Sequence, residues 1–147
     1  MYEEAKNEAK EEFKRLKYDP LFIAGMMLYW GEGDKVTRGK VRLANSDQAL
    51  IRVYTEFLRK ACGVPEEKIR ASILIYPDIN EASNKRFWSF ATRIPVDRFT
   101  KSTTIKGRHK TKKLEYGVCT VYVSSAYLKT KILIWLTLLS KALLEEG

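Results

Sequence analysis

Residues 19–35, DPLFIAGMMLYWGEGDK, constrain the chain more than any other stretch. Asp19 and Pro20 are a helix start signal, a side-chain cap followed by the residue best tolerated at the first helical position. Residues 21–30 are an almost unbroken apolar run. A helix that is apolar all round is buried, in a core or against a partner. The run closes on Gly31-Glu32-Gly33, which sets one carboxylate at the C-terminal tip of the helix. The helix dipole there favours cations, so an acid in that place reads as a group presented to something, such as a metal. The plainer alternative is that Glu32 caps a turn and Asp34 is solvated.

The chain's 147 residues are enough for one domain with a sizeable core, and its net charge of +9 favours a polyanionic partner, nucleic acid ahead of a membrane surface. Cys62 and Cys119 lie far apart, match no metal spacing and read as reduced core thiols. The N-terminus is charged from Glu3 onward, unlike a secretory signal, and the apolar run at 132–139 is too short to span a bilayer. A soluble, cytoplasmic protein with no membrane partner is expected.

Residues 2–17 form a charged helix in which Lys6–Lys10 and Glu8–Glu12 set like charges four apart. Its apolar stripe (Ala5, Ala9, Phe13, Leu16) is thin, so residues 1–18 read as a solvated leader or linker before a domain at 19–147. Alternation predicts strands at 40–45, 69–76 and 117–125. Helical spacing predicts helices at 48–62, 80–93 and 126–146, the second with Ala82, Phe87, Phe90 and Ala91 inward. Helices and strands mix without regular alternation, which indicates an α+β domain with an antiparallel sheet. Val41, Leu43, Ala71 and Ile73 take one face. Arg42, Arg70, Ser72, Thr120, Tyr122 and Ser124 take the other, so helices cover one side and the polar side stays open for binding.

Residues 98–113, RFTKSTTIKGRHKTKK, hold seven lysines and arginines and no acid. Such a run suits phosphate contacts, each of which releases counterions. The plainer alternative is a solvated loop. His109 is the single histidine and cannot build a metal site alone. No phosphate-binding loop, dinucleotide fingerprint or zinc pattern is present.

FIAGMMLYWGEGDK resembles the signature helix of the LAGLIDADG homing endonucleases, a motif that ends in acid–glycine after a buried helix. The order that follows (strand, a helix ending at LRKACGV, strand, strand, helix) is also similar, over roughly residues 20–145. The chain further resembles bacterial proteins in which a helix-turn-helix precedes a DPLF…G…LYWGEG segment. The resemblance implies an αββαββα unit, here with an N-terminal helix and an inserted helix at 80–93, whose sheet lies on double-stranded DNA. Glu32 takes the place of the catalytic, Mg²⁺-binding acid, with Gly31 and Gly33 as its small flanks. Trp30 and Met27 stand where the family has an aspartate and a close-packing glycine.

A single motif implies a homodimer joined through this helix, with Phe22, Gly25, Met26, Tyr29 and Gly31 expected at the interface. Glu32 and Asp34 are the expected metal ligands. Arg38, Lys40, Arg42, Arg70, Ser72, Thr120 and Tyr122 are expected to meet DNA on the sheet and the turn before it. Lys101, Lys106, Arg108, His109, Lys110, Lys112 and Lys113 are expected to clamp its backbone. The functional expectation is a Mg²⁺-dependent DNA endonuclease. The alternatives are a DNA-binding regulator on the same fold that has lost cleavage, and an RNA-binding or interaction module using Tyr76 and Tyr122.

Overall fold

The computed structural model describes residues 1–104 and 115–145. Five α-helices alternate irregularly with strands: α1 (Tyr2–Leu16), α2 (Pro20–Glu32), β1 (Lys40–Asn45), α3 (Gln48–Glu56), β2 (Arg70–Ile75), α4 (Glu81–Thr92), β3 (Thr103–Thr104), β4 (Val118–Ser124) and α5 (Ala126–Glu145). The chain is an α+β domain. Its four-stranded sheet runs β1-β4-β2-β3. β4 pairs antiparallel with β1 and β2, as expected. The sheet is nevertheless mixed, because the two-residue β3 lies parallel to β2. The strand pair implied between α2 and α3 is reduced to β1 and an isolated bridge, Gly33 with Leu43.

Local chemistry sets the helix ends. Asp19 accepts a hydrogen bond from the Leu21 N–H at 2.9 Å, with Pro20 opening α2. Asp47 caps α3 through the N–H groups of Ala49 and Leu50. The last turn of that helix, Phe57–Ala61, loosens to π geometry and ends at Gly63, whose φ of +65° suits glycine.

Val41, Leu43, Ala71, Ile73, Ile75, Cys119, Val121 and Val123 bury one sheet face under the helices. Phe22 of α2 sits at the centre of the core. Its ring meets Phe13 of α1 at 6.2 Å, Phe57 at 6.2 Å and Trp135 of α5 at 5.2 Å, the first and last edge-on. Cys62 and Cys119 are free thiols. No helix among the described residues is long and apolar enough to cross a membrane.

Two sequence expectations are corrected here. The thin stripe of α1 is not solvated: Ala5, Ala9, Phe13 and Leu16 are buried, and Trp135 Nε1–H donates to the Ala9 carbonyl at 3.0 Å. Lys131 of α5 reaches across to Glu8 at 3.0 Å and Glu12 at 2.5 Å, so α1 is fastened to the core by both apolar and ionic contacts. On α4 the buried line is Asn84, Trp88 and Thr92, whereas Phe90 is 87% exposed. The polar members of that line bond back along their own helix, although Asn84 Oδ1 has no hydrogen-bond partner among the described residues. Thr92 donates to the Trp88 carbonyl at 2.7 Å and Asn84 to the Asn80 carbonyl at 3.2 Å, which lets them face inward.

Candidate functional site

The uncovered sheet face is polar because each strand alternates. Register sets Arg42 of β1 and Arg70 of β2 on either side of Tyr122 of β4, in one cross-strand row. The next row is Ala44, Thr120 and Ser72. Lys40 lies over the Tyr122 ring, 5.4 Å from its centroid.

The end of α2 overhangs this surface. Together with the segment that follows Phe99, it closes a concavity of about 480 Å³. Glu32, Asp34, Lys40, Arg42, Ser72, Lys101, Thr120 and Tyr122 line it, joined by Thr100. Thr100 is drawn in by backbone pairing, its N–H donating to the Ala71 carbonyl at 2.8 Å. Arg38 stays on the exposed turn before β1, and Arg70 continues the row beyond the rim of the concavity. Lys106, Arg108, His109, Lys110, Lys112 and Lys113 lie outside the described residues.

The two acids behave differently. Asp34 Oδ1 accepts from the Val36 and Thr37 N–H groups, each at 2.9 Å, and Oδ2 accepts from Arg42 Nε at 2.6 Å. The Thr37 backbone N–H and hydroxyl, the Val36 N–H and the Arg42 guanidinium hold its carboxyl well below the usual carboxylate range. Asp34 therefore holds Arg42 and the turn. Glu32 is exposed, and no described residue pairs with its carboxylate. Among the described residues no three His, Cys, Asp or Glu side chains gather as a metal cage. Mg²⁺ usually binds through one or two carboxylates plus phosphate oxygens and waters. Glu32, beside Lys40, Arg42 and Lys101, fits that donor pattern as one carboxylate per chain.

Beneath the turn lies a buried lysine that the sequence did not single out. Lys129 of α5 donates to the Tyr29 hydroxyl at 2.8 Å and to the Asp34 carbonyl, which also accepts from the Tyr29 hydroxyl. Burial pushes the Lys129 ammonium down and the Tyr29 hydroxyl up from their ordinary values. The available signal was a lysine next to Leu128 and Ile132 on the core-facing side of a strongly apolar helix.

No protein-family model, curated protein or solved structure matches this chain.

The expected dimer interface is corrected. Phe22, Met26 and Tyr29 are fully buried in the chain's own core. Gly25 makes room for Phe57, since a Cβ at that position would lie 2.0 Å from the ring. None of these can meet a second copy. Gly31 stays open, with nothing within 4 Å of a Cβ built there. The side of α2 left outside carries Ile23, Ala24, Met27 and Trp30, the last 45% exposed.

Proposed function

We propose that the chain binds double-stranded DNA on the open face of its sheet and acts there as a homodimeric, Mg²⁺-dependent endonuclease of the LAGLIDADG type. The observation that carries this reading is the concavity in which Lys40, Arg42 and Lys101 surround Glu32, an acid with no pairing partner among the described residues. Cations with hydroxyl groups between them suit phosphodiester oxygens, and the Arg42–Tyr122–Arg70 row suits base edges in a groove. Glu32 would hold the metal ion, which polarises the scissile phosphate when bound. Two such carboxylates would come from two copies joined through Ile23, Ala24, Met27, Trp30 and Gly31. This outer face explains why α2 is apolar on every side.

A second reading, a DNA-binding regulator that does not cleave, draws its support from Asp34. With that carboxylate committed to Arg42, each chain offers one acid to a metal.

One experiment separates the two: duplex DNA libraries with Mg²⁺, comparing wild type with Glu32→Gln. Cleavage by wild type and its loss in the variant, with DNA affinity retained, supports the nuclease. Salt-sensitive binding without cleavage by either protein leaves the regulator. Absence of salt-sensitive DNA binding removes both.

A further inference from the structure

The flank of the molecule away from the open sheet carries a second surface, built by α1 and α5. α1 is electrostatically two-sided. Its Glu8 and Glu12 turn to Lys131, which they hold at 3.0 and 2.5 Å. The opposite flank presents Tyr2, Lys6 and Lys10 at four-residue spacing, along a groove of about 420 Å³ whose other wall is Leu133, Ile134 and Leu138 of α5, with Thr130 and Thr137 between them. Among the described residues no acid lines this groove.

Lys6 has one acid at helical spacing, Glu3, and Lys10 has none. The helix neighbours of Lys10 three and four positions away are Lys6, Asn7, Phe13 and Lys14, none of them acidic. Neither Lys6 nor Lys10 forms an ion pair with a described residue, although α1 itself carries five glutamates. The apolar wall is also unfinished. Tyr2 is 56% and Leu133 37% exposed. Two parallel features, an apolar trough and an uncompensated basic rim, run along one line.

We propose that the α1–α5 groove is a docking site for an acidic amphipathic helix of another protein. Such a helix would lay its apolar anchors on Leu133, Ile134 and Leu138 and set its carboxylates against Lys6 and Lys10. Neither α1 nor α2 of a second copy supplies that helix. α1 spends Ala5, Ala9, Phe13 and Leu16 on its own core, and the outer side of α2, with Ile23, Ala24, Met27 and Trp30, carries no acid. DNA does not suit the site either, since the floor is apolar and the cations number two. The proposal stands independently of the DNA reading.

The test uses the full chain and a synthetic helical peptide with leucines at i, i+3, i+4 and i+7 and glutamates elsewhere, against a copy with every glutamate replaced by lysine. Fluorescence anisotropy is expected to show saturable binding of the acidic peptide, about tenfold or more tighter than the basic one. NMR shifts are expected to move at Tyr2, Leu133 and Ile134. The double variant Lys6→Glu/Lys10→Glu reverses the preference, and Leu133→Asp weakens binding by about tenfold while circular dichroism stays native.

No saturable binding up to about 1 mM peptide overturns the proposal. So does binding that survives the double variant. Self-association of the wild type that Leu133→Asp abolishes assigns the groove to a second copy. Binding to phosphatidylserine vesicles that the double variant loses assigns it to a lipid surface. Either result overturns the protein-helix assignment.

Discussion

Lys129 and Lys131 stand two residues apart on α5, and each is only 6% exposed, yet their surroundings differ completely. Lys131 meets two carboxylates, Glu8 and Glu12, and lies near the rings of Tyr127 and Trp135. Lys129 meets a hydroxyl and a carbonyl, with no carboxylate in hydrogen-bond contact among the described residues. Burial lowers the pKa of both. For Lys131 the hydrogen bonds and charges of Glu12 and Glu8 more than offset it, so its net shift is upward, while that of Lys129 is downward. The same residue type on the same helix is therefore an ionic fastener in one place and a costly buried cation in the other. What Lys129 holds is the turn that follows Glu32, through the Asp34 carbonyl.

Removing Lys131 gives the largest expected effect on this comparison. Lys131→Met leaves Glu8 and Glu12 facing each other without a cation and loosens α1, at a cost on the order of 3 kcal/mol by urea denaturation. Asp34→Ala comes next. It removes two turn hydrogen bonds and the Arg42 contact, at about 2 kcal/mol. Because the folded-state pKa of Asp34 is depressed, its contribution is present above the unfolded carboxylate value of about 4 and is lost as pH falls below it. The variant is expected to show a flatter acid limb in denaturation from pH 5 to pH 2, taken as approximate bounds.

Alkaline pH sharpens the contrast between the two lysines. The folded pKa of Lys131 is raised, so the folded state binds more protons above the unfolded value of about 10.4, and stability falls there. The folded pKa of Lys129 is lowered, so the unfolded state binds more protons below about 10.4, and stability rises as pH approaches that value. Stability against pH in Lys131→Met is expected to lose the fall, and in Lys129→Met to lose the rise. Lys129→Met itself changes stability at neutral pH by about 1 kcal/mol or less, since no carboxylate is stranded. If the turn serves DNA binding, this variant weakens affinity in anisotropy titrations, whereas Lys131→Met does not once the folded fraction is taken into account. Equal effects of both variants on affinity would erase the distinction.

The smallest expected effect is that of Glu8→Gln. Glu8 is half exposed and Glu12 remains on Lys131, so the loss is about 0.5 kcal/mol. A loss as large as that of Lys131→Met would place the fastener in Glu8 alone.

Much of the site was legible in the strands. Period-two alternation in KVRLAN and RASILI assigned Val41, Leu43, Ala71 and Ile73 to the core and Arg42, Arg70 and Ser72 to the open face, and the register agrees. Glu32 and Lys101 were marked by their neighbours in sequence and do line the concavity. Thr100 was not, because backbone pairing with Ala71 brings it there. Helix phase was harder to read. α2 is apolar on every side, so its sequence carries no preferred direction, and the inward line Phe22, Gly25, Met26 and Tyr29 was assigned outward. α4 misled in the opposite way, since Asn84 and Thr92 are buried with bonds back to their own helix while Phe90 faces water.

By itself the sequence determined the order of the helices and the three long strands, the cap at Asp19 and the two faces of the sheet. These depend on neighbours within a few residues, where propensity, capping and alternation act. Only the tertiary structure decided which side of α2 is free, that Asp34 belongs to Arg42, that Lys129 sits beneath the turn and that Lys131 draws α1 into the core. Lys129 reaches Asp34 across 95 residues, and Lys131 reaches Glu8 across 123. No local pattern encodes such a partner, because burial and pairing are fixed only when distant segments share one volume.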